Sequence, residues 1–209
     1  SHTMWLSFLQ PWFRIVYSFR IGMKIISLSL MLSLFLVWCS LLPSSWNPSS
    51  QWVTDANSQV ISGAVFSLKI PAWWKSTSRS DLPTPRYGTI VWAFVSSDVS
   101  AGMVDNFVIL RDDLDTIITS KQYADLNHVQ TARNYIEYTF LGQSLLSFDD
   151  GDTAWAYTFE ARYNTTTPRL KYIQTAKVCG RNVYLLHLSL ALDTDPIAYI
   201  PFLSSFHCR

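Results

Sequence analysis

Between Val65 and Leu192, apolar side chains recur at every second position in stretch after stretch, and this period of two constrains the fold more than any other feature of the chain. Seven such stretches stand out: VFSLKI (65–70), YGTIVWAFVSS (87–97), NFVILR (106–111), YTFLGQSLLSF (138–148), TAWAYTFEARY (153–163), RLKYIQTAKV (169–178) and NVYLLHLSLAL (182–192). They are rich in Val, Ile, Tyr, Phe and Thr, the residues that suit a pleated, half-buried surface. Two of the connections carry turn chemistry, Asp150-Gly151 within FDDGDT and Gly180 with Asn182 within CGRN; RYNTTTPR (162–169) is a longer turn. Short turns between consecutive strands predict an antiparallel sheet.

One segment breaks the alternation. From Lys121 to Ile136 the apolar positions Tyr123, Ala124, Leu126, Val129, Ala132, Tyr135 and Ile136 recur at spacings that include three and four, which predicts a helix. Thr119 and Gln122 have the spacing of a capping box at its start. Asp195-Pro196 opens a second, shorter helix over 196–206. The expected architecture is therefore α+β: an antiparallel sheet of six to seven strands with the two helices covering one face. About 145 residues suffice for a stable core, burying roughly two-thirds of the unfolded surface.

The N-terminal part is different in kind. Ile25 to Leu42 (IISLSLMLSLFLVWCSLL) is 18 residues without a charge. As a helix it spans roughly 27 Å, against a hydrocarbon core of about 30 Å. Arg14, Arg20 and Lys24 precede it and no charge follows until Asp55, so the positive-inside rule predicts a cytoplasmic N-terminus and an extracytoplasmic remainder. Trp5, Trp12 and Tyr17 on one flank, with Trp46 and Trp52 on the other, suit the two membrane interfaces. Ser1-His2-Thr3, ahead of Met4, read as an expression remnant. A retained single-pass anchor is the expectation. A cleaved signal, a lipoprotein modified at Cys39 and a buried core helix are the alternatives; Trp38 before Cys39 and the absence of an A-x-A site argue against the first two. The expected organisation is 1–20 cytoplasmic or interfacial, 21–42 transmembrane, 43–63 a Ser/Pro/Asn-rich linker, and 64–209 the folded domain.

FSLKIPAWW (66–74) ends a strand at a proline and follows it with two tryptophans. Pro71 cannot donate to a ladder and so stops the strand. Trp73 and Trp74 then either plug the end of the sheet or present an aromatic surface to a partner or membrane.

This string resembles the opening of PsbP-like domains, a family related in fold to a Ran-binding protein and to the envelope protein DcrB. Further matches come in order: NFVILRDDL before a helix near Ser120, Asp149-Asp150-Gly151 before Ala154, Tyr172 to Gln174, Gly180-Arg181-Asn182-Val183-Tyr184, and Ser204-Ser205-Phe206. The resemblance covers about 65–206. It implies an antiparallel sheet with packed helices, an α-β-α sandwich in some members, and a role in assembling or stabilising larger membrane or envelope complexes.

Catalytic signatures are missing from the sequence: no G-x-S-x-G, H-E-x-x-H, C-x-x-C or phosphate loop occurs. Charged residues make up 15% of the chain and the net charge is +1, which gives no basic field for nucleic acid. His128 and His187 read as structural. His207, Cys208 and Cys179 could form a metal site only with further ligands. Asp149, Asp150 and Asp152 make an acidic turn, read as a hairpin turn or a weak cation site; glycine is third in it, where an EF-hand loop needs it sixth. The Arg111–Asp115 charge run reads as a solvated loop edge. Asn164-Thr165-Thr166 is a glycosylation sequon. No cofactor and no resident metal are expected.

Cys179 and Cys208 are the only cysteines after the membrane run, and in an oxidising compartment they are expected to pair. Cys179 precedes the last strand and Cys208 follows the return helix. An 11-residue strand of roughly 36 Å exceeds a return helix of about 16 Å, so the strand must be shorter or the last residues extended; two free thiols are the alternative. The expected function is a non-catalytic, membrane-anchored, extracytoplasmic binding or assembly factor for a membrane or envelope protein complex. Two others are weighed against it: a small-ligand or cation-binding envelope domain, and a hydrolase with a site assembled from scattered residues.

Overall fold

The computed structural model describes residues 57–78, 82, 85, 87–100 and 103–209. The chain divides into two compact units, 1–49 and 50–209, and every described residue lies in the second. The predicted membrane helix at 21–42, the segment 1–20, Cys39 and the flanking tryptophans up to Trp52 lie outside the described residues. Among the described residues, no helix is long and apolar enough to cross a membrane.

Ten strands form two antiparallel sheets. Strands β1 (Ser58–Ser62), β2 (Phe66–Pro71) and β10 (His207–Cys208) make a small sheet in the order β1-β2-β10. The large sheet runs β3-β4-β5-β9-β8-β7-β6, from β3 (Trp74–Ser76), β4 (Thr89–Ser100), β5 (Met103–Asp113), β6 (Ile136–Ser147), β7 (Thr153–Arg162), β8 (Arg169–Cys179) and β9 (Asn182–Leu190). All seven predicted strands are present. Ser58–Ser62 is a correction: the tail of the stretch read as linker is a strand, paired with β2 from Ser58 opposite Pro71 to Ser62 opposite Ser67.

Pro71 does stop β2, and the chain then changes sheets. Two residues later β3 begins, with Trp74 opposite Ser96 of β4. Gly180 and Arg181 join β8 to β9, and the positive φ of Gly180 (66°) with none at Arg181 suits a type II′ hairpin. Gly88 has φ 68°, and a Cβ there would sit 2.8 Å from the Arg111 carbonyl oxygen, so the start of β4 demands glycine.

Helix α1 (Ser120–Asn134) begins with the predicted capping box: Thr119 Oγ1 accepts from Gln122 N–H, and Gln122 Oε1 accepts from Thr119 N–H. Its orientation differs from the expected apolar stripe. Ser120, Ala124 and Thr131 are buried, while Leu126 and Val129 are 62% and 48% exposed. Hydrogen bonds dock this helix: Thr131 Oγ1 donates to Gln174 of β8, and Ser120 Oγ donates to Asp152 while accepting from Val178 N–H. The predicted helix at 196–206 is a 3-10 turn (Pro196–Tyr199, capped by Asp195) followed by α2 (Ile200–Ser204) and then β10.

The expectation that both helices cover one face is overturned by the strand register. Gln174 stands opposite His187, and His187 opposite Val108, so these share one face, and α1 docks there. Phe107, Leu188 and Ile173 share the other face, where Phe107 meets Phe202 of α2. The small sheet packs on that second face, with Phe66, Leu68 and Ile70 fully buried. Cys179 and Cys208 are joined as a disulfide with Cα atoms 5.6 Å apart. Both geometric conditions for it are met, since β9 ends at Leu190 and His207–Cys208 is extended.

Candidate functional site

Helix α1 packs mainly on β7 and β8. The same face of β9, β5 and β4 therefore stays uncovered, leaving a groove of about 420 Å³ between α1, the β7–β8 turn and the segment ahead of β4. Alternation along the strands builds its floor. In β5, Phe107 and Ile109 are buried in the core, while Val108 and Leu110 are half-buried and point into the groove. Ile90, Val95 and Leu185 continue that floor. Val91 is an extra residue between Ile90, opposite Leu110, and Trp92, opposite Ile109; this bulge puts Ile90 on the groove face and Trp92 on the core face. Along α1, Asn127, Gln130 and Asn134 form the opposite wall. Among the described lining residues, none is an Asp, Glu, Lys or Arg.

At the back of the groove lies a chain of hydrogen bonds. Thr131 Oγ1 donates to Gln174 Oε1 at 2.9 Å, and Gln174 Nε2 donates to His187 Nδ1 at 3.1 Å. His187 Nε2 lies 3.2 Å from the Tyr135 hydroxyl. An amide NH2 can only donate, so this order places the ring proton on Nε2. Burial lowers the His187 pKa to about 4, so the ring is neutral at neutral pH. Both ring nitrogens are thereby engaged in hydrogen bonds.

The two tryptophans separate. Trp74 is 1% exposed and packs near Tyr199 and Phe202, so it is the plug and is excluded as a partner surface. Trp73 is half-buried against the same core. In the acidic turn, the ammonium of Lys177, whose side chain is 3% exposed, binds Asp150 Oδ1 at 2.8 Å and Asp152 Oδ2 at 2.9 Å. Burial pushes both carboxyls up, but hydrogen bonds from Lys177, and from Ser120 to Asp152, outweigh it and hold both below the usual range. A lysine thus stands where the weak cation site was expected. Asp149 is exposed at the turn, and among the described residues no group of three or more His, Cys, Asp or Glu is placed to hold a metal. The disulfide also removes Cys179 and Cys208 from the metal grouping considered with His207.

His128 stacks on Tyr157 with ring centroids 3.9 Å apart, and its Nδ1 lies 3.3 Å from the Tyr138 hydroxyl, a packing role. The Tyr157 hydroxyl donates to Asp125. Asn164 Oδ1 accepts from Thr166 and Thr167 N–H, so the sequon asparagine braces its own turn. Asp112, in the charge run, accepts from the Tyr123 hydroxyl. Asp105 was not singled out from sequence. It ties the end of β9 to the 3-10 turn, accepting from Ala191 N–H and the Tyr199 hydroxyl, and burial raises its pKa against those bonds. The groove was also missed. Its signal was Gln174 and His187, polar residues facing each other within the two central strands.

No protein-family model and no curated protein matches the sequence. Solved structures do. The cyanobacterial PsbP protein CyanoP from Synechocystis sp. PCC 6803 matches with a TM-score of 0.52 at 12% identity, over 75% of this chain and 95% of that one. A protein from Bacteroides thetaiotaomicron matches at TM-score 0.46 and 12% identity, over 73% of this chain and 48% of its own. A protein of unknown function, PA94, from Pseudomonas aeruginosa matches at 0.42 and 14%, over 68% and 86%. At these identities the likeness extends to architecture alone: the described domain has a PsbP-like fold.

Proposed function

We propose that this chain is a non-catalytic binding or assembly factor for a membrane or envelope protein complex, anchored through Ile25–Leu42 with its domain outside the cytoplasm. One observation carries the reading. Among the described residues lining the groove beside α1 no side chain is charged, and His187 is buried, neutral and hydrogen-bonded through both nitrogens. Such a surface offers contact area and no acid–base chemistry. The disulfide suits an oxidising compartment, and the basic flank of the apolar run suits an inward N-terminus. The PsbP-like fold is compatible with an extrinsic protein at a membrane. The test is mild solubilisation of native membranes and purification of the full chain, with a stoichiometric membrane complex expected to accompany it. Protease added to intact spheroplasts should also remove the domain. A chain that purifies alone sinks the assembly role, and a domain protected from protease sinks the orientation.

A second reading, a small-ligand-binding envelope domain, is favoured by the groove volume of about 420 Å³, within the roughly 300–1,000 Å³ typical of small-molecule sites.

A further inference from the structure

We propose that the groove between α1 and strands β4, β5 and β9 takes an uncharged, mainly apolar small molecule with one hydrogen-bonding end, in the class of a fatty alcohol or fatty amide. The inference rests on the ligand-binding reading of the groove.

Three features of the wall define the class. The first is the floor, where Ile90, Val95, Val108, Leu110 and Leu185 are half-buried and turn apolar side chains toward the opening. Covering them removes apolar surface from water, the dominant driving force for such binding. The second is charge. Among the described lining residues none is Asp, Glu, Lys or Arg, so a carboxylate or ammonium entering the groove loses its hydration shell and meets no opposite charge from them. The third is the polar flank. Asn127, Gln130 and Asn134 lie at i, i+3 and i+7 along α1, which puts them on one side of the helix, facing the floor. An amide side chain both donates and accepts, so this flank suits a neutral hydroxyl or amide. Asn127 Nδ2 is a buried donor with no partner among the described residues, a group that ordinarily finds an acceptor. The ligand is therefore oriented, with its apolar part across β4, β5 and β9 and its polar end at α1.

Photolabelling locates the ligand even when the probe also enters lipid. The full chain in lipid vesicles is irradiated with a diazirine-bearing dodecanol, or with the matching diazirine-bearing dodecanoate, and labelled peptides are mapped by mass spectrometry. The alcohol is expected to label peptides containing Val108 and Leu185 about tenfold more than the carboxylate. Val108→Trp, which fills the floor, should remove that label and leave labelling of residues 25–42 unchanged. Gln130→Glu changes an exposed helix residue that the fold does not need, and should lower the label about threefold by placing a charge on the flank. Equal labelling by both probes, no label on these peptides, or a label that survives both variants overturns the proposal. None of these outcomes alters what copurifies with the chain.

Discussion

On the face that β5, β8 and β9 turn toward the small sheet, aromatic rings pack within a dense apolar core: Phe66 stacks on Phe206 at 4.8 Å and Phe107 meets Phe202 at 4.6 Å. One residue along, the same strands turn Val108, Gln174 and His187 to the other face, where a smaller cluster around Phe159, Tyr172 and Tyr135 stands beside a hydrogen-bonded chain and an open groove. The difference comes from what covers each face. The first lies under a second sheet and α2, while the second lies under a single helix that packs mainly on two strands. A strand alternates regardless, so one sequence of residues supplies a core on one side and a binding surface on the other.

The largest expected effect tests the sealed face. Trp74→Ala should destabilise the domain by about 3–5 kcal/mol, the range for a fully buried aromatic, whereas Trp73→Ala should cost less than half as much. Thermal melts of both variants decide it; equal losses would mean that the two rings are buried alike. Next comes the bridge that ties β10 to β8. Replacing both Cys179 and Cys208 by Ala opens a link between residues 29 apart, and in the chain-entropy model should cost about 3.5 kcal/mol. Urea unfolding with and without reductant checks it, and a midpoint insensitive to reductant would show that the sealed face holds without its staple.

A smaller effect belongs to the groove face and depends on pH. The folded pKa of His187, lowered to about 4 by burial, lies below the unfolded value of about 6.5. The unfolded chain therefore binds more protons between these values. The contribution is complete above about pH 6.5 and is lost as pH falls toward 4, about 2 kcal/mol of it between pH 7 and pH 5. His128, also lowered mainly by burial, acts in the same direction. Melting temperatures across that window should fall for the native chain and fall much less for His187→Leu; parallel curves would place the histidine in contact with water. The smallest effect is at Leu126, on the outer side of α1 and 62% exposed. Leu126→Ser should change stability by less than about 0.5 kcal/mol, and a larger loss by calorimetry would mean that this side of α1 is covered.

Strands and caps were legible because their causes are local. Alternation, Gly180 at its turn and the Thr119–Gln122 pair each act within a few residues. Strand β1 was not legible, since SQVIS carries only two apolar residues and is held by its ladder to β2. Orienting α1 by its apolar positions failed because Thr131 and Ser120 reach partners 43 and 32 residues away, and those bonds outweigh the preference of Leu126 and Val129 for burial. The groove was hidden for a related reason: it is the area that α1 leaves bare, a property of relative lengths and positions that no short pattern carries. Cys179 and Cys208 could be paired from their places along the chain. That Lys177 occupies the acidic turn could not, because it arrives from a strand 25 residues or more downstream.

The small sheet also dictates an order of events during synthesis. Strand β2 is made early, yet its second neighbour is β10, and the Lys69 N–H is bonded by Ser205, 136 residues later. Until Phe206 has been made, Phe66, Leu68 and Ile70 have no lid from that end of the chain. Contacts this distant in sequence slow folding. A nascent chain therefore carries an adhesive hairpin at least until Phe206 has been made, and deleting residues 205–209 would strip that hairpin of its β10-side cover.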